Sequence, residues 1–206
     1  ANQPFDVGCS TTIDLPYSEN FNGALNMPSG IQFGTSNGDG IQDSGQQWET
    51  MWSTSGPDLQ QGIIRADDGP SSQGVTQYLV MPMMEIDGDL DSAVLKFSEM
   101  SPDNYQWWST SYHGIHVAVP DKTSIDRSCE VGEDIDGDNI ADAISGVNDG
   151  YNEVASLIGD SSSWNEQLID LSAYVGDWVC VAFAFRSENR QMWYVDSISV
   201  EGVILP

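Results

Sequence analysis

The stretch richest in chemistry is Asp134-Ile135-Asp136-Gly137-Asp138-Asn139-Ile140-Ala141-Asp142. Its carboxylates stand at positions 1, 3, 5 and 9 of a tight loop, with Gly137 at the bend. That spacing wraps oxygen ligands round one hard cation, and Ile140, at position 7, adds its backbone carbonyl. Acids this close repel one another unless a counter-ion or full solvation relieves them. The expected occupant is Ca2+, held by Asp134, Asp136, Asp138, Asp142 and the Ile140 carbonyl; the plainer alternative is a solvated acidic loop.

The second cluster is aromatic. Tyr105, Trp107, Trp108 and Tyr112 have Asp103, Asn104, Gln106 and His113 among them. Flat apolar faces beside polar edges suit sugar rings, whose C–H faces stack while their hydroxyls take hydrogen bonds. Ligand contacts are therefore expected from Tyr105, Gln106, Trp107, Trp108, Tyr112 and His113, the alternative being that the tryptophans cap the end of a core. His113 and His116 are three apart, so in extended chain they face opposite sides and cannot chelate one metal together.

Enzyme signatures are absent. The chain has no H-E-x-x-H, no G-x-S-x-G and no glycine-rich phosphate loop. Its 32 acids supply many carboxylate pairs, but none is singled out, so no catalytic residue is assigned. The three cysteines cannot all pair within the chain. Cys180 sits among small apolar residues and reads as a buried thiol, which leaves Cys9 and Cys129 as the expected bridge.

Strands must position these groups. Val179, Val181, Phe183 and Phe185 alternate with Cys180, Ala182 and Ala184, as a strand buried on both faces requires. A second apolar run, Met192 to Val200, follows the polar reversal Ser187-Glu188-Asn189-Arg190, which makes the two strands hairpin neighbours or near neighbours. In that run Asp196 alternates with Tyr194, Ile198 and Val200, so it points with large apolar side chains and needs a partner. Further strands are read at Tyr78–Val80, Ala93–Phe97, Gly114–Val119 and Tyr151–Ile158.

With 206 residues, no repeat and no helix-period run, the chain suits one β-sandwich: an N-terminal arm over 1–14, then a single domain over 15–206 with the calcium-loop insertion at about 121–150. A start at Ala1 without Met fits a mature or excised segment. Six basic residues against 32 acids give a formal charge of −26, an acidic surface of the kind salt-adapted or marine secreted proteins carry. Such a charge excludes binding to nucleic acid or to an anionic membrane by electrostatics. The apolar runs are also far shorter than the roughly 20 residues that membrane insertion needs.

The order W-NEQL-IDLSAYVG, VCVAFAFRS, WYVDSISV across 164–200 resembles the closing half of MAM-like jelly-roll modules of secreted bacterial proteins, the choice-of-anchor J or cleaved-adhesin type. Leu15-Pro16-Tyr17-Ser18-Glu19-Asn20-Phe21-Asn22-Gly23 and Gln77-Tyr78-Leu79-Val80-Met81-Pro82 match earlier parts of that pattern. Family members often carry Asp-Asp where this chain has Asp196-Ser197. The resemblance implies an all-β, jelly-roll β-sandwich of two antiparallel sheets with long loops, in a secreted or cell-surface protein with other domains on the same polypeptide. It also implies a Ca2+ pinning the first and last strands through Glu19 and Asp196; an ion pair with an arginine, or a strand end facing water, would account for Asp196 otherwise. The expected function is a non-catalytic, calcium-stabilised accessory or adhesion module for a glycan or other surface polymer. A polysaccharide-active hydrolase or lyase and a purely structural spacer are the rivals.

Overall fold

Alternation of large apolar with small or polar residues makes strands, and nearly all the regular structure among the described residues is strand. In a computed structural model the described residues are 13–21, 31–35, 46–51, 63–68, 76–101, 112–123, 129, 131, 150–157, 161–186 and 192–204. The strands among them, in chain order, are β1 (Ile13–Asp14), β2 (Tyr17–Glu19), β3 (Gln32–Thr35), β4 (Gln46–Met51), β5 (Ile63–Asp68), β6 (Gln77–Val80), β7 (Met84–Glu85), β8 (Ser92–Ser101), β9 (Tyr112–Ala118), β10 (Asn152–Leu157), β11 (Ser161–Asp170), β12 (Trp178–Arg186) and β13 (Met192–Val203). The expected turn before β12 is a 3-10 turn at Ser172–Tyr174, and Gly176 follows at a φ of 88°, a conformation that favours glycine.

The strands form a seven-stranded and a six-stranded sheet. In the first, β12 is central: β9 and then β10 lie on one side, β6 and β7 in series on the other, with β3 outside β6 and β1 outside β7. In the second, β13 is central, with β8 then β11 on one side and β5 and β2 in series on the other; β4 lies outside β5. The β1–β7 pair is parallel and the others are antiparallel. Ile13 and Asp14, the last two residues of the stretch read as an arm, are thus paired in the sheet.

The sheets pack face to face as a jelly-roll β-sandwich. Val179, Val181, Phe183 and Phe185 of β12, with Ile115 and Val117 of β9, meet Leu95 and Phe97 of β8 and Trp193, Val195, Ile198 and Val200 of β13. Phe97 and Phe183 touch edge to face, 5.0 Å between centroids. So β12 and β13 lie in opposite sheets, which corrects the hairpin expectation. Each carries its large residues on one face, and those faces bury the most apolar surface by meeting across the sandwich.

Two further corrections follow from packing. A register shift in β13 between Asp196 and Ser199, with Ser197 at a φ of 53°, changes the phase of the strand. Trp193 and Val195 face the core before it, Ile198 and Val200 after it. Asp196 is therefore not in phase with Ile198: it pairs with Ser98, which alternates with the core residues Phe97 and Glu99, yet it is fully buried. The disulfide is Cys129–Cys180, with 5.4 Å between the Cα atoms, and not Cys9–Cys129. Cys180 belongs to the small-residue face of β12, where Cys129, Val131 and Tyr151 pack with Tyr78, Val80, Ala182 and Ala184 as a second cluster. That outer layer brings Cys129 onto a central strand; Cys9 lies outside the described residues.

Candidate functional site

The strand ends converge. Thr35 pairs with Gln77, Phe185 with Gln77, Arg186 with Tyr112 and Leu157 with His113 in one sheet. In the other, Gln46 pairs with Asp68, Met192 with Asp67 and Ser161 with Ser101. Stacking of His113 and Phe185 on Trp193 ties these two sets of ends together across the sandwich. Segments 36–45, 69–75, 102–111, 158–160 and 187–191 therefore all join strands at one end of the domain. The end of a rigid sandwich at which strands terminate is a recurrent place for binding residues. Tyr105, Gln106, Trp107 and Trp108 belong to segment 102–111 and lie outside the described residues, but the strands that hold that segment, β8 and β9, end here.

Beneath this end lies a buried polar network. The His113 ring sits flat on Trp193, centroids 4.8 Å apart and planes 2° apart. The Trp193 indole Nε1 donates to Glu99 Oε2 at 2.7 Å, and Gln167 Nε2 donates to Glu99 Oε1 at 2.6 Å. Burial pushes the Glu99 carboxyl up from its ordinary range, and the two donors pull it partly back. His113 is inside the sandwich, away from any surface that a ligand would meet, and burial holds its pKa down at about 4.

The opposite face of β9 carries Tyr112, Gly114 and His116. Tyr112 Oη donates to Glu153 Oε2 and meets His116 Nε2 at 2.6 Å. A Cβ on Gly114 would lie 2.2 Å from Tyr112 Oη, so only glycine lets the tyrosine fold over it towards His116. The Arg186 guanidinium lies 5.3 Å from the Tyr112 ring centroid. Burial first, then Glu153, drives the phenol well above its ordinary pKa, and burial lowers His116 to about 4 against the pull of Glu153. Neither group is a base poised for neutral pH. As expected, the two histidines face opposite sides of β9.

Of the cation ligands expected, Asp134, Asp136, Asp138, Ile140 and Asp142 lie outside the described residues. Glu19 and Asp196 lie on adjacent strands: Glu19 pairs with Ile198, two residues beyond Asp196. Glu19 Oε1 accepts the Phe21 N–H at 2.7 Å and Asp196 Oδ1 the Ser197 N–H at 2.6 Å. Phe21 and Ser197 are both left-handed, at φ 52° and 53°, a costly conformation for such residues that clusters at functional positions. The register sets Arg65 opposite Tyr194, two residues from Asp196 on the other side. Among the described residues no group of three or more acids, histidines or cysteines is assembled for a metal. A cation at Glu19 and Asp196 would thus need backbone carbonyls or water as well. Two carboxylate donors suit a hard cation such as Ca2+.

The 121–150 insertion is held at both ends against the outer face of the seven-stranded sheet. Lys122 donates to the Gly176 carbonyl and lies 5.9 Å from the Trp178 ring centroid. Cys129 is bridged to Cys180, and Tyr151 Oη donates to the Cys129 carbonyl at 2.9 Å while its ring stacks on Tyr78. At the far end of the sandwich a cleft of about 620 Å3 is lined by Asp14, Glu85, Asp87 and Glu201 with Leu15 and Leu90. Among the described residues its lining has no aromatic side chain.

Glu99, Gln167 and Glu153 were not singled out from the sequence. Glu99 left a signal: it follows Ala93, Leu95 and Phe97 at every second position, a carboxylate in phase with core residues. Glu153 left none, since its role comes from pairing of β10 with β9 across a long insertion.

No protein-family model and no curated protein matches this sequence. Among solved structures, it is similar to a cleaved adhesin domain of Lys-gingipain from Porphyromonas gingivalis, at 16% identity and TM-score 0.55, covering 90% of this chain and 97% of that one. It is also similar to a family 11 carbohydrate-binding module from Clostridium thermocellum in complex with a β-1,3-1,4-mixed-linked tetrasaccharide, at 12% identity and TM-score 0.52, covering 91% and 95%. The enzymatically active domain of tailspike protein 4 from bacteriophage CBA120 aligns with TM-score 0.54 at 10% identity, with only 21% of that chain covered. At these identities the likeness is one of fold: the chain has the jelly-roll sandwich that cleaved adhesin domains and carbohydrate-binding modules share.

Proposed function

We propose that this protein is a non-catalytic module of a larger secreted or surface protein, and that its loop end binds a glycan or another surface polymer. One observation carries the reading: strands of both sheets end together over a rigid buried floor, and the segment richest in aromatic and polar residues, 102–111, joins two of those ends. The adhesin domain and the tetrasaccharide-bound module of like fold support it. The charge of −26 favours neutral or cationic polymers, and admits anionic ones only with bridging cations. A panel of soluble polysaccharides tests this: retention of the protein in affinity gels is expected for at least one neutral polymer, with no reducing ends or unsaturated products released. Product release on any member of the panel would favour a hydrolase or lyase.

Calcium belongs to the same proposal, at Asp134–Asp142 and at Glu19 with Asp196. An ion that binds only the folded chain, at a hundredfold excess over Kd, adds about 2.7 kcal/mol of stability. A chelator is therefore expected to lower the melting temperature, and Asp196→Ala to remove part of that response. An unchanged chelator response in the variant would assign Asp196 to an arginine such as Arg65 instead.

A further inference from the structure

Both histidines of the chain lie on β9, one on each face, and both are buried with a ring nitrogen that meets no hydrogen-bond partner among the described residues: His113 Nε2 and His116 Nδ1. A neutral imidazole tolerates this at modest cost, whereas an imidazolium does not, because it must place a second N–H and a charge in an apolar site. We propose that β9 is an acid-operated latch: proton uptake by His113 and His116 unseats the packing on both faces of the seven-stranded sheet, so that mild acid loosens the domain.

The surroundings decide the sign. His113 faces Phe185 of β12 and Trp193 of β13, and beyond the indole stands Glu99 of β8, bonded to Gln167 of β11. His116 faces Tyr78 of β6 and its own strand's Tyr112; Glu153 of β10 and Arg186 of β12 both act on Tyr112. Burial dominates for both rings and lowers their pKa to about 4, from an unfolded value near 6.5. The unfolded chain therefore binds more protons between those values. The stability owed to neutral burial is complete above the unfolded pKa and is lost as pH falls towards the folded one. Glu99, whose pKa burial raises above the ordinary carboxylate value, contributes in the opposite sense as pH falls through its folded value, and does so equally in the wild type and the histidine variants. The two rings belong to the two layers on β12: His113 packs in the inter-sheet core, and His116 against Tyr78, on which Tyr151 of the insertion stacks. The latch operates whether or not a polymer binds.

The test is urea unfolding of the full chain from about pH 7.5 to about pH 4.5, for wild type, His113→Phe, His116→Gln and the double variant. Phe keeps the stack on Trp193, and Gln keeps a polar group near Tyr112. Wild type should keep its midpoint down to about pH 6.5 and lose it below, and between about pH 6 and 4.5 its linkage slope should exceed that of the double variant by about two protons per molecule. Histidine-selective NMR of the folded wild type supplies a readout that does not depend on the variants folding: neither ring should titrate above about pH 5. A ring that titrates near its ordinary pKa in the folded protein, or an equal slope in a folded double variant, overturns the proposal.

Discussion

Trp193→Ala is expected to remove about 3–5 kcal/mol of folding stability, as truncation of a buried Trp typically does. That is a large part of the roughly 5–15 kcal/mol that a domain has in total. Trp193 is fully buried, and three separate functions meet in it. Its ring fills the sandwich against Phe183 and Phe185, its face carries His113, and its Nε1–H satisfies Glu99. Alanine leaves a cavity and takes one donor from a buried carboxylate. Trp193→Phe separates these effects: it keeps most of the apolar body but loses the N–H, for an expected loss of about 1–3 kcal/mol. Guanidinium unfolding followed by circular dichroism measures both. A loss below about 1 kcal/mol for alanine would mean that the loop end is not built on this residue.

Reduction is the second large effect. The Cys129–Cys180 bridge closes a sequence separation of 51. In the chain-entropy view a closed loop of that size restricts the unfolded chain enough to add about 4 kcal/mol. Unfolding in the presence of a thiol reductant should shift the midpoint by a corresponding amount, and Cys129→Ala with Cys180→Ala should abolish the shift. Peptide mapping without reduction should show Cys9 alkylated and Cys129 joined to Cys180. A Cys9–Cys129 peptide would refute the pairing and, with it, the docking of the insertion's start on β12.

Much of the sandwich was legible because alternation is local. Val179 to Phe185 announced a strand buried on both faces, and Ala93 to Phe97 a strand half exposed, since each pattern needs only neighbouring residues to be read. What crossed the sandwich was not legible. The reversal at 187–190 looks the same whether it closes a hairpin or carries the chain to the other sheet. The phase of β13 depended on one left-handed residue, Ser197, which nothing in its type announces. Cys180 read as a buried thiol because its own strand is apolar; its partner arrives from an insertion 51 residues away. At the loop end, the types of Tyr112 and His113 suggested ligand contacts, but their placement on β9 divided them, His113 into the core and Tyr112 onto the outer face.

Binding at the loop end is tested by substituting residues of the 102–111 segment against one in the acidic cleft at the far end. Affinity-gel retention on whichever polysaccharide the panel identifies would be compared for wild type, Trp107→Ala, Trp108→Ala and, in the acidic cleft at the far end, Glu201→Gln. At least one of the tryptophan variants is expected to lose retention at least about tenfold, equivalent to about 1.4 kcal/mol, while its melting temperature stays near wild type and Glu201→Gln binds normally. Retention unchanged in both tryptophan variants, or lost in Glu201→Gln alone, would contradict it.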